Sequence, residues 1–147
     1  MEQSADLSQI TPEQFTQLAA VASDEDILTG IRATGTKAVL DRIFQGMQER
    51  FAPAKAQGAS VRIQWIVTDG GEEHAYMATI ANGTCEIAPG KGEGATVVLG
   101  SDLVTFIRLI TGQQNGAYLF MTGKLKVGGD LMMAQRIETF FDRPKAG

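Results

Sequence analysis

The sequence predicts an α+β fold in which helices cover one face of a mostly antiparallel, five-stranded sheet. Three observations predict it. Apolar side chains recur at helical spacing up to about Pro53, the middle of the chain alternates as strands do, and the last third returns mainly to helical spacing. With 147 residues, the chain is long enough for one folded domain with a buried core.

Helical signals mark the first fifty residues. Thr11-Pro12-Glu13-Gln14 matches a capping box with proline at the first helical position, so a short helix should begin there. Ser23 precedes three acidic residues that suit the start of a second helix, and Gly35 should end it. A third helix is predicted over residues 36–52. Its apolar face is formed by Leu40, Ile43, Phe44, Met47 and Phe51.

Strand signals follow between residues 61 and 99. The predicted strands are residues 61–67, 74–81, 84–88 and 95–99. Asp69-Gly70-Gly71 predicts the first turn, and Asn82-Gly83 predicts a hairpin because both residues tolerate a positive φ. A glycine-rich loop over 89–94 precedes the fourth strand. These short connections predict an antiparallel meander.

The last third of the chain predicts two helices around one strand. Ser101 should cap a helix that ends at Gly112, and an apolar connector over 116–121 should form a short helical turn. Alternation over 124–127 predicts the fifth strand, with both of its lysines on the solvated side. Asp130 should cap the final helix, which is apolar over more than half of its circumference.

The composition favours binding over catalysis. The net charge is −4, with no basic block, which argues against nucleic acid or an anionic membrane as the main electrostatic partner. A single cysteine excludes a disulfide within the chain, and one cysteine with one histidine cannot supply a tetrahedral zinc site. With one cysteine and one histidine, the chain also offers few pairs of a nucleophile and a base that could act together in catalysis. We therefore expect neither a metal nor a cofactor.

Three polar motifs are weak candidates for chemistry. Residues 90–94 resemble a phosphate-binding loop, but a strand follows them instead of a helix, so we interpret them as an ordinary loop. Cys85 lies in a strand and should be a small buried hydrophobe. A cation site or general base is conceivable at the acidic turn, although polar hairpin tips more often serve solubility. That turn contains Asp69, Glu72, Glu73 and His74.

The most unusual feature of the sequence is its set of apolar residues. The segment 116–121 has no charge and no strong period, and five methionines accompany the aromatic residues of the chain. Those methionines are Met47, Met77, Met121, Met132 and Met133. Flexible methionine suits the walls of a site that adjusts to an apolar guest. From the residues alone, an ordinary core and a ligand cavity both remain open.

The segment Leu119–Phe141 resembles the C-terminal signature of the sterol carrier protein type 2 family. The match centres on Gly123-Lys124-Leu125-Lys126-Val127-Gly128-Gly129-Asp130, a strand, turn and helix start. Residues 61–65 resemble the first strand of the family, and residues 101–112 resemble its helix before the last strand. The resemblance covers residues 36–143 as one lipid-binding domain. Residues 1–35 resemble the helical N-terminal extension of some bacterial stand-alone members.

The resemblance implies a five-stranded sheet with helices that roof a hydrophobic tunnel. In such a tunnel a fatty acid, an acyl chain or a sterol-like lipid would be held without covalent chemistry, so the chain would not be an enzyme. In this sequence, the resemblance implies that the following residues line the tunnel: Phe44, Met47, Phe51, Ile63, Trp65, Met77, Phe106, Ile110, Tyr118, Phe120, Met133, Ile137 and Phe141.

Two other functions stay open at this stage. The apolar surplus could be covered by a homodimer or a partner protein in an interaction module, and His74 with the acidic turn could form a reactive pair. The N-terminus lacks a secretory pattern, no apolar run is long enough to insert stably in a membrane, and the last residues are not the Ser-Lys-Leu peroxisomal address. These features predict a cytoplasmic protein.

Overall fold

The computed structural model describes residues 11–141, in six helices and five strands. The helices are α1 (Pro12–Val21), α2 (Asp24–Thr34), α3 (Thr36–Glu49), α4 (Leu103–Ile110), α5 (Gly116–Met121) and α6 (Leu131–Ile137), with a 3₁₀ turn at Glu138–Phe140. The strands are β1 (Val61–Asp69), β2 (Glu72–Ala81), β3 (Thr84–Pro89), β4 (Val97–Asp102) and β5 (Lys126–Gly129). The predicted α+β class with a five-stranded sheet is confirmed.

The strands form one sheet in the order β3-β2-β1-β4-β5. β1 and β4 are parallel, and the other neighbouring pairs are antiparallel. The predicted meander is therefore right for the first three strands and wrong for the fourth, which lies on the far side of β1. The outer edge of β3 is met by helix α3 instead, where the Ile87 amide donates a 2.7 Å hydrogen bond to Gln48 Oε1.

Most predicted caps are present. Thr11 forms both bonds of the capping box, and Ser23 Oγ accepts the Asp26 amide at 3.1 Å. Asn82 and Gly83 have φ values of 54° and 76°, as the hairpin prediction requires. Asp130 Oδ1 accepts the Met133 amide at 3.0 Å. Local sequence chemistry therefore sets these chain reversals and helix starts.

Several element boundaries differ from the predictions. Ser101 lies in β4, and Asp102 caps α4 by accepting the Thr105 amide at 2.8 Å. α3 ends at Glu49 instead of residue 52, because the Ala52 amide pairs with the Phe140 carbonyl near the C-terminus. β4 begins at Val97. β5 begins at Lys126, since the two preceding amides donate to the Leu119 carbonyl and close α5.

The two faces of the sheet are covered differently. Alternate residues of β1, from Val61 to Val67, face the helices and are buried. On the other face of the sheet, Gln64 is 4 % exposed, and its side chain is hydrogen-bonded to the backbone of the glycine-rich loop over 89–94. Its side chain donates to the carbonyls of Tyr76 (3.0 Å) and Gly90 (3.2 Å) and accepts the Gly92 amide (2.8 Å). These bonds satisfy a buried amide that would otherwise destabilise the fold.

Helices α1 and α2 pack onto the rest of the fold. Arg108 of α4 donates to the carbonyls of Ala19 (2.7 Å) and Ala22 (3.0 Å) and to the Asp24 carboxylate (2.8 Å). Phe15, Ala19, Ile27 and Ile31 belong to the same buried apolar cluster as the sheet residues. The proposed boundary at residue 35 stays a prediction. Over residues 11–141, no helix is both long and apolar enough to cross a membrane.

Candidate functional site

Four aromatic rings meet between the helices and the sheet: Phe44, Trp65, Tyr76 and Phe106. We call this set the aromatic core. Phe44 is its centre, with ring centroids 4.2 Å from Tyr76 and 5.3 Å from Phe106, both stacked, and 5.9 Å from Trp65 in an edge arrangement. Trp65 also meets Phe106 edge-on at 5.6 Å. Such pairs add stabilisation beyond the apolar area that they bury.

Secondary structure explains how these rings meet. Phe44 lies on the apolar face of α3, and Phe106 lies on the buried face of α4. In the register of β1 and β2, Trp65 is directly opposite Tyr76, so both side chains project from the same face of the sheet. All four residues are at least nine-tenths buried. The aromatic core thus joins two helices and two strands that are distant in the sequence.

A hydrogen-bonded carboxylate borders the aromatic core. Tyr76 Oη donates to Asp41 Oδ1 at 2.6 Å, and Lys37 Nζ lies 2.8 Å from Asp41 Oδ2. Burial favours the neutral form of Asp41, but the hydrogen bonds from Lys37 and Tyr76 outweigh it and lower the pKa of this carboxyl. Burial, followed by the bond to Asp41, raises the pKa of Tyr76 above its ordinary value. Asp41 is therefore ionised and Tyr76 neutral at neutral pH.

Ten of the thirteen predicted lining residues lie in or against the buried apolar cluster. The buried ones are Phe44, Met47, Ile63, Trp65, Phe106 and Ile137, and the partly buried ones are Phe51, Ile110, Met133 and Phe141. Phe51 and Phe141 form a second contact, with ring centroids 5.8 Å apart, where the chain after α3 meets the C-terminal segment. The structure therefore brings α3, α4, α6 and β1 together around one apolar interior.

Three predicted lining residues lie elsewhere. Met77 pairs with Gln64 in the register and so faces the opposite side of the sheet, where its methyl group lies below Gly92. Tyr118 and Phe120 are 55 % and 45 % exposed. α5 has a single buried residue among those described, Leu119, and the side chains on either side of it are carried outward by the helical rotation.

Sequence reasoning missed three residues of this interior. Tyr76 could have been found, because the turn at 69–71 sets a register that places it opposite Trp65. Leu119 and Phe140 are fully buried, whereas the predicted lining contains their neighbours Tyr118, Phe120 and Phe141. For Phe140 the reason is the change from α-helix to a 3₁₀ turn after Ile137, which alters the rotation per residue.

Two buried nitrogen atoms lack a hydrogen-bond partner within residues 11–141: Trp65 Nε1 and His74 Nε2. His74 Nε2 lies 3.5 Å from Glu72 Oε1, without the geometry of a hydrogen bond. Trp65 has no such neighbour. Its indole N–H is an unpaired donor inside the aromatic core.

A separate cleft of about 430 Å³ lies where β1 and β4 end. Its lining is largely polar and charged: Asp24, Leu28, Arg32, Thr68, Asp69, Gly70, Asp102, Leu103, Val104, Thr105, Arg108, Gln114 and Lys124. Asp69 accepts hydrogen bonds at 3.1 Å from Arg32 Nε and from Thr36 Oγ1. The bond from Arg32 is the main reason that the pKa of Asp69 is lowered. Most of these side chains are polar or charged, whereas mostly apolar side chains are expected to line a lipid tunnel.

The titratable side chains singled out in the sequence have identifiable surroundings. In the described part of the chain, no three or more His, Cys, Asp or Glu side chains cluster so that they could hold a metal ion. Lys91 pairs with Glu73 at 2.9 Å, which accounts for one acid of the predicted polar turn. Cys85 is buried, as predicted, and burial raises its pKa to about 11, which disfavours the nucleophilic thiolate.

Comparison with known proteins gives a consistent set of relatives. The chain is 34% identical over 89 residues to the oleate-induced peroxisomal protein POX18 of Candida maltosa, which covers 60% of this chain and 70% of the relative. It is 32% identical over 87 residues to hydroxysteroid dehydrogenase-like protein 2 of Xenopus tropicalis. That match covers 57% of this chain but 20% of the frog protein, so the chain spans about a fifth of its length.

The fold is also similar to a solved sterol carrier protein. The apo form of sterol carrier protein 2 from Yarrowia lipolytica superposes with a TM-score of 0.58 at 25% identity, over 70% of this chain and 87% of that structure. The model of the SCP-2 sterol transfer family matches residues 40–142, which include the aromatic core and the signature over 119–141. The protein whose helices and sheet enclose this interior therefore belongs to the SCP-2 sterol transfer family.

Proposed function

We propose that this protein binds and transfers an apolar ligand, such as a fatty acid, an acyl chain or a sterol-like lipid, in a tunnel between its helices and the sheet. Membership of a sterol transfer family supports lipid binding in general. The observation that carries the finer proposal is the aromatic core, where large apolar side chains from α3, α4 and the sheet converge. The proposed lining is the set of ten predicted residues that adjoin this interior.

The mechanism is reversible burial without chemistry. Each CH₂ group moved from water into the tunnel contributes about 0.8 kcal/mol, so a ten-carbon chain gains roughly 8 kcal/mol before the cost of ordering is subtracted. A gain of about 8 kcal/mol corresponds to a Kd of about 1 µM, and the ordering cost moves the expected Kd above this value. No step needs a reactive group, which agrees with the raised pKa of the Cys85 thiol.

Two adjacent methionines on α6 provide the test. Met133 packs against the buried cluster, whereas Met132 is 79 % exposed. We expect Met133→Trp to overfill the tunnel and weaken binding of a fluorescent fatty acid at least about fivefold, since overpacking costs about 1–3 kcal/mol. Met132→Trp should change the Kd less than twofold. If wild-type protein shows no binding below about 100 µM and carries no lipid in native mass spectrometry, the proposal is wrong.

A second candidate function rests on exposed apolar side chains. Tyr118, Phe120 and Met121 of α5 and Leu131 and Met132 of α6 are all 45 % exposed or more. Such side chains suit an interaction module in which a second copy or another protein covers them. Sedimentation velocity over a range of concentrations separates the two functions. A dimer that is lost on Met121→Lys, together with absent lipid binding, would favour the module.

A further inference from the structure

The indole N–H of Trp65 is a donor in an apolar setting. Trp65 is 6 % exposed, and Nε1 has no hydrogen-bond partner within residues 11–141. Buried indole N–H groups are usually paired, because an unpaired donor loses its bonds to water without replacement. An unpaired donor among the residues proposed to line a ligand site is therefore informative about the ligand.

The neighbours of Trp65 explain why residues 11–141 do not supply the acceptor. The two rings in edge contact with it, Phe44 and Phe106, carry no oxygen or nitrogen in their side chains. The Tyr76 hydroxyl, which is the other polar atom of the aromatic core, donates to Asp41 and does not accept the indole N–H. Contacts of the N–H with the faces of aromatic rings would be weak.

We infer that Trp65 Nε1–H donates a hydrogen bond to a neutral oxygen of the bound apolar ligand. This inference rests on the proposed lipid-binding function and narrows its ligand class. Fatty alcohols, acyl esters or thioesters and sterol-like alcohols carry such an oxygen. A plain hydrocarbon would leave the donor unpaired.

An ionised fatty acid fits this position less well. A carboxylate buried against neutral aromatic rings loses its hydration, which costs far more than one indole hydrogen bond returns. The acceptor is therefore uncharged when it meets Trp65.

The single tryptophan of the chain makes the donor directly observable. ¹⁵N-labelled protein gives one indole N–H cross-peak, which moves downfield when the N–H forms a hydrogen bond to oxygen. We expect 1-decanol to move this peak downfield and decane to leave the proton close to its unliganded position. Decanoate at pH 8 should bind more weakly than 1-decanol.

A variant tests the energy of the same bond. Trp65→Phe keeps an aromatic ring and removes the donor, so the ratio of the decane Kd to the 1-decanol Kd should fall by about two- to tenfold. Decane controls for the lost volume. Incorporation of benzothienylalanine, which has sulfur in place of the indole N–H and nearly the same shape, provides the matched control if Trp65→Phe does not fold.

The outcomes separate the two proposals. If 1-decanol and decane both bind but the indole proton stays fixed, or if the Kd ratio is unchanged in both variants, this inference is wrong and lipid binding stands. Tighter binding of decanoate than of 1-decanol also overturns it. If none of the three probes binds to wild-type protein, the proposed function fails and the inference fails with it.

Discussion

Tyr76 donates a 2.6 Å hydrogen bond to the Asp41 carboxylate and so joins β2 to α3 beside the aromatic core. The Tyr76 ring is at the same time stacked on Phe44, one turn along α3 from Asp41. One side chain thus contributes both a polar and an apolar contact to the same helix. This double contact fixes how α3 lies on the sheet.

Removing the Tyr76 hydroxyl should lower the stability moderately. In Tyr76→Phe the ring stays stacked and Asp41 keeps Lys37, so we expect the free energy of unfolding to fall by about 1 kcal/mol in urea denaturation. Tyr118→Phe is the matched control, because Tyr118 is 55 % exposed, and it should change stability by less than about 0.5 kcal/mol. Equal effects of the two variants would contradict the role given to the Asp41 bond.

Acid should destabilise the protein through Asp69. Because Arg32 lowers the pKa of this carboxyl in the folded state, its contribution is fully present above the ordinary value of 3.8 and is lost as the pH falls through the lower folded pKa. Unfolding midpoints in urea at a series of pH values should fall steeply in that range for wild type. The fall should be shallower for Asp69→Asn.

The control for this pH dependence is Glu86→Gln, at an exposed carboxylate of β3. It should leave the acid branch of the stability curve as it is in wild type. An Asp69→Asn curve that matches the wild-type curve at every pH would show that the bond with Arg32 contributes nothing to stability.

Two adjacent glycines of the signature should respond differently to alanine. Gly129 has a φ of +86°, and a Cβ there would lie 2.2 Å from the Thr96 carbonyl oxygen. Gly129→Ala should therefore cost about 3 kcal/mol or more, from backbone strain and from the clash. At Gly128 the nearest atom is Val98 Cβ at 3.7 Å, an ordinary contact, so Gly128→Ala should change stability by less than about 1 kcal/mol. Urea denaturation of both variants checks the difference, and similar losses would refute it.

Arg108 should hold the N-terminal helices against α4. Its side chain is 15 % exposed and bonds to the carbonyls of Ala19 and Ala22 and to Asp24. We expect Arg108→Met to speed hydrogen exchange of the α1 amides by at least about tenfold, since local opening no longer breaks these bonds. Lys126→Met, at an exposed position of β5, should leave α1 exchange unchanged. Protection of α1 that survives Arg108→Met would show that apolar packing alone holds the helix.

Local signals predicted much of the fold. The capping box at Thr11, the cap at Ser23, the turn at Asn82-Gly83 and the cap at Asp130 all form as expected, since each depends on residues within three positions. The C-terminal signature also identified the family, which the match over residues 40–142 confirms. The residues on α3 and α4 that should face the core do so because helical spacing alone defines their side.

Long-range pairing was beyond the sequence pattern. Alternation marks β4 as a strand but does not say which strand it joins, and the parallel pairing with β1 depends on how the chain crosses the sheet after β3. Met77 is a different case. The turn at Gly70-Gly71 sets the register that pairs Met77 with Gln64, so its side of the sheet could have been predicted from the hairpin, as that of Tyr76 could.

The sequence by itself determined where helices and turns begin, which faces of α3 and α4 are apolar, and to which family the chain belongs. Each of these features depends on residues that are close together in the sequence. Only the tertiary structure decided which aromatic rings meet, that Leu119 and Phe140 are buried in place of their neighbours, and that no group within residues 11–141 pairs with the Trp65 N–H. These facts depend on the register of strands and on the packing of distant elements. The shape of the whole interior sets them, and no short segment of the sequence determines that shape.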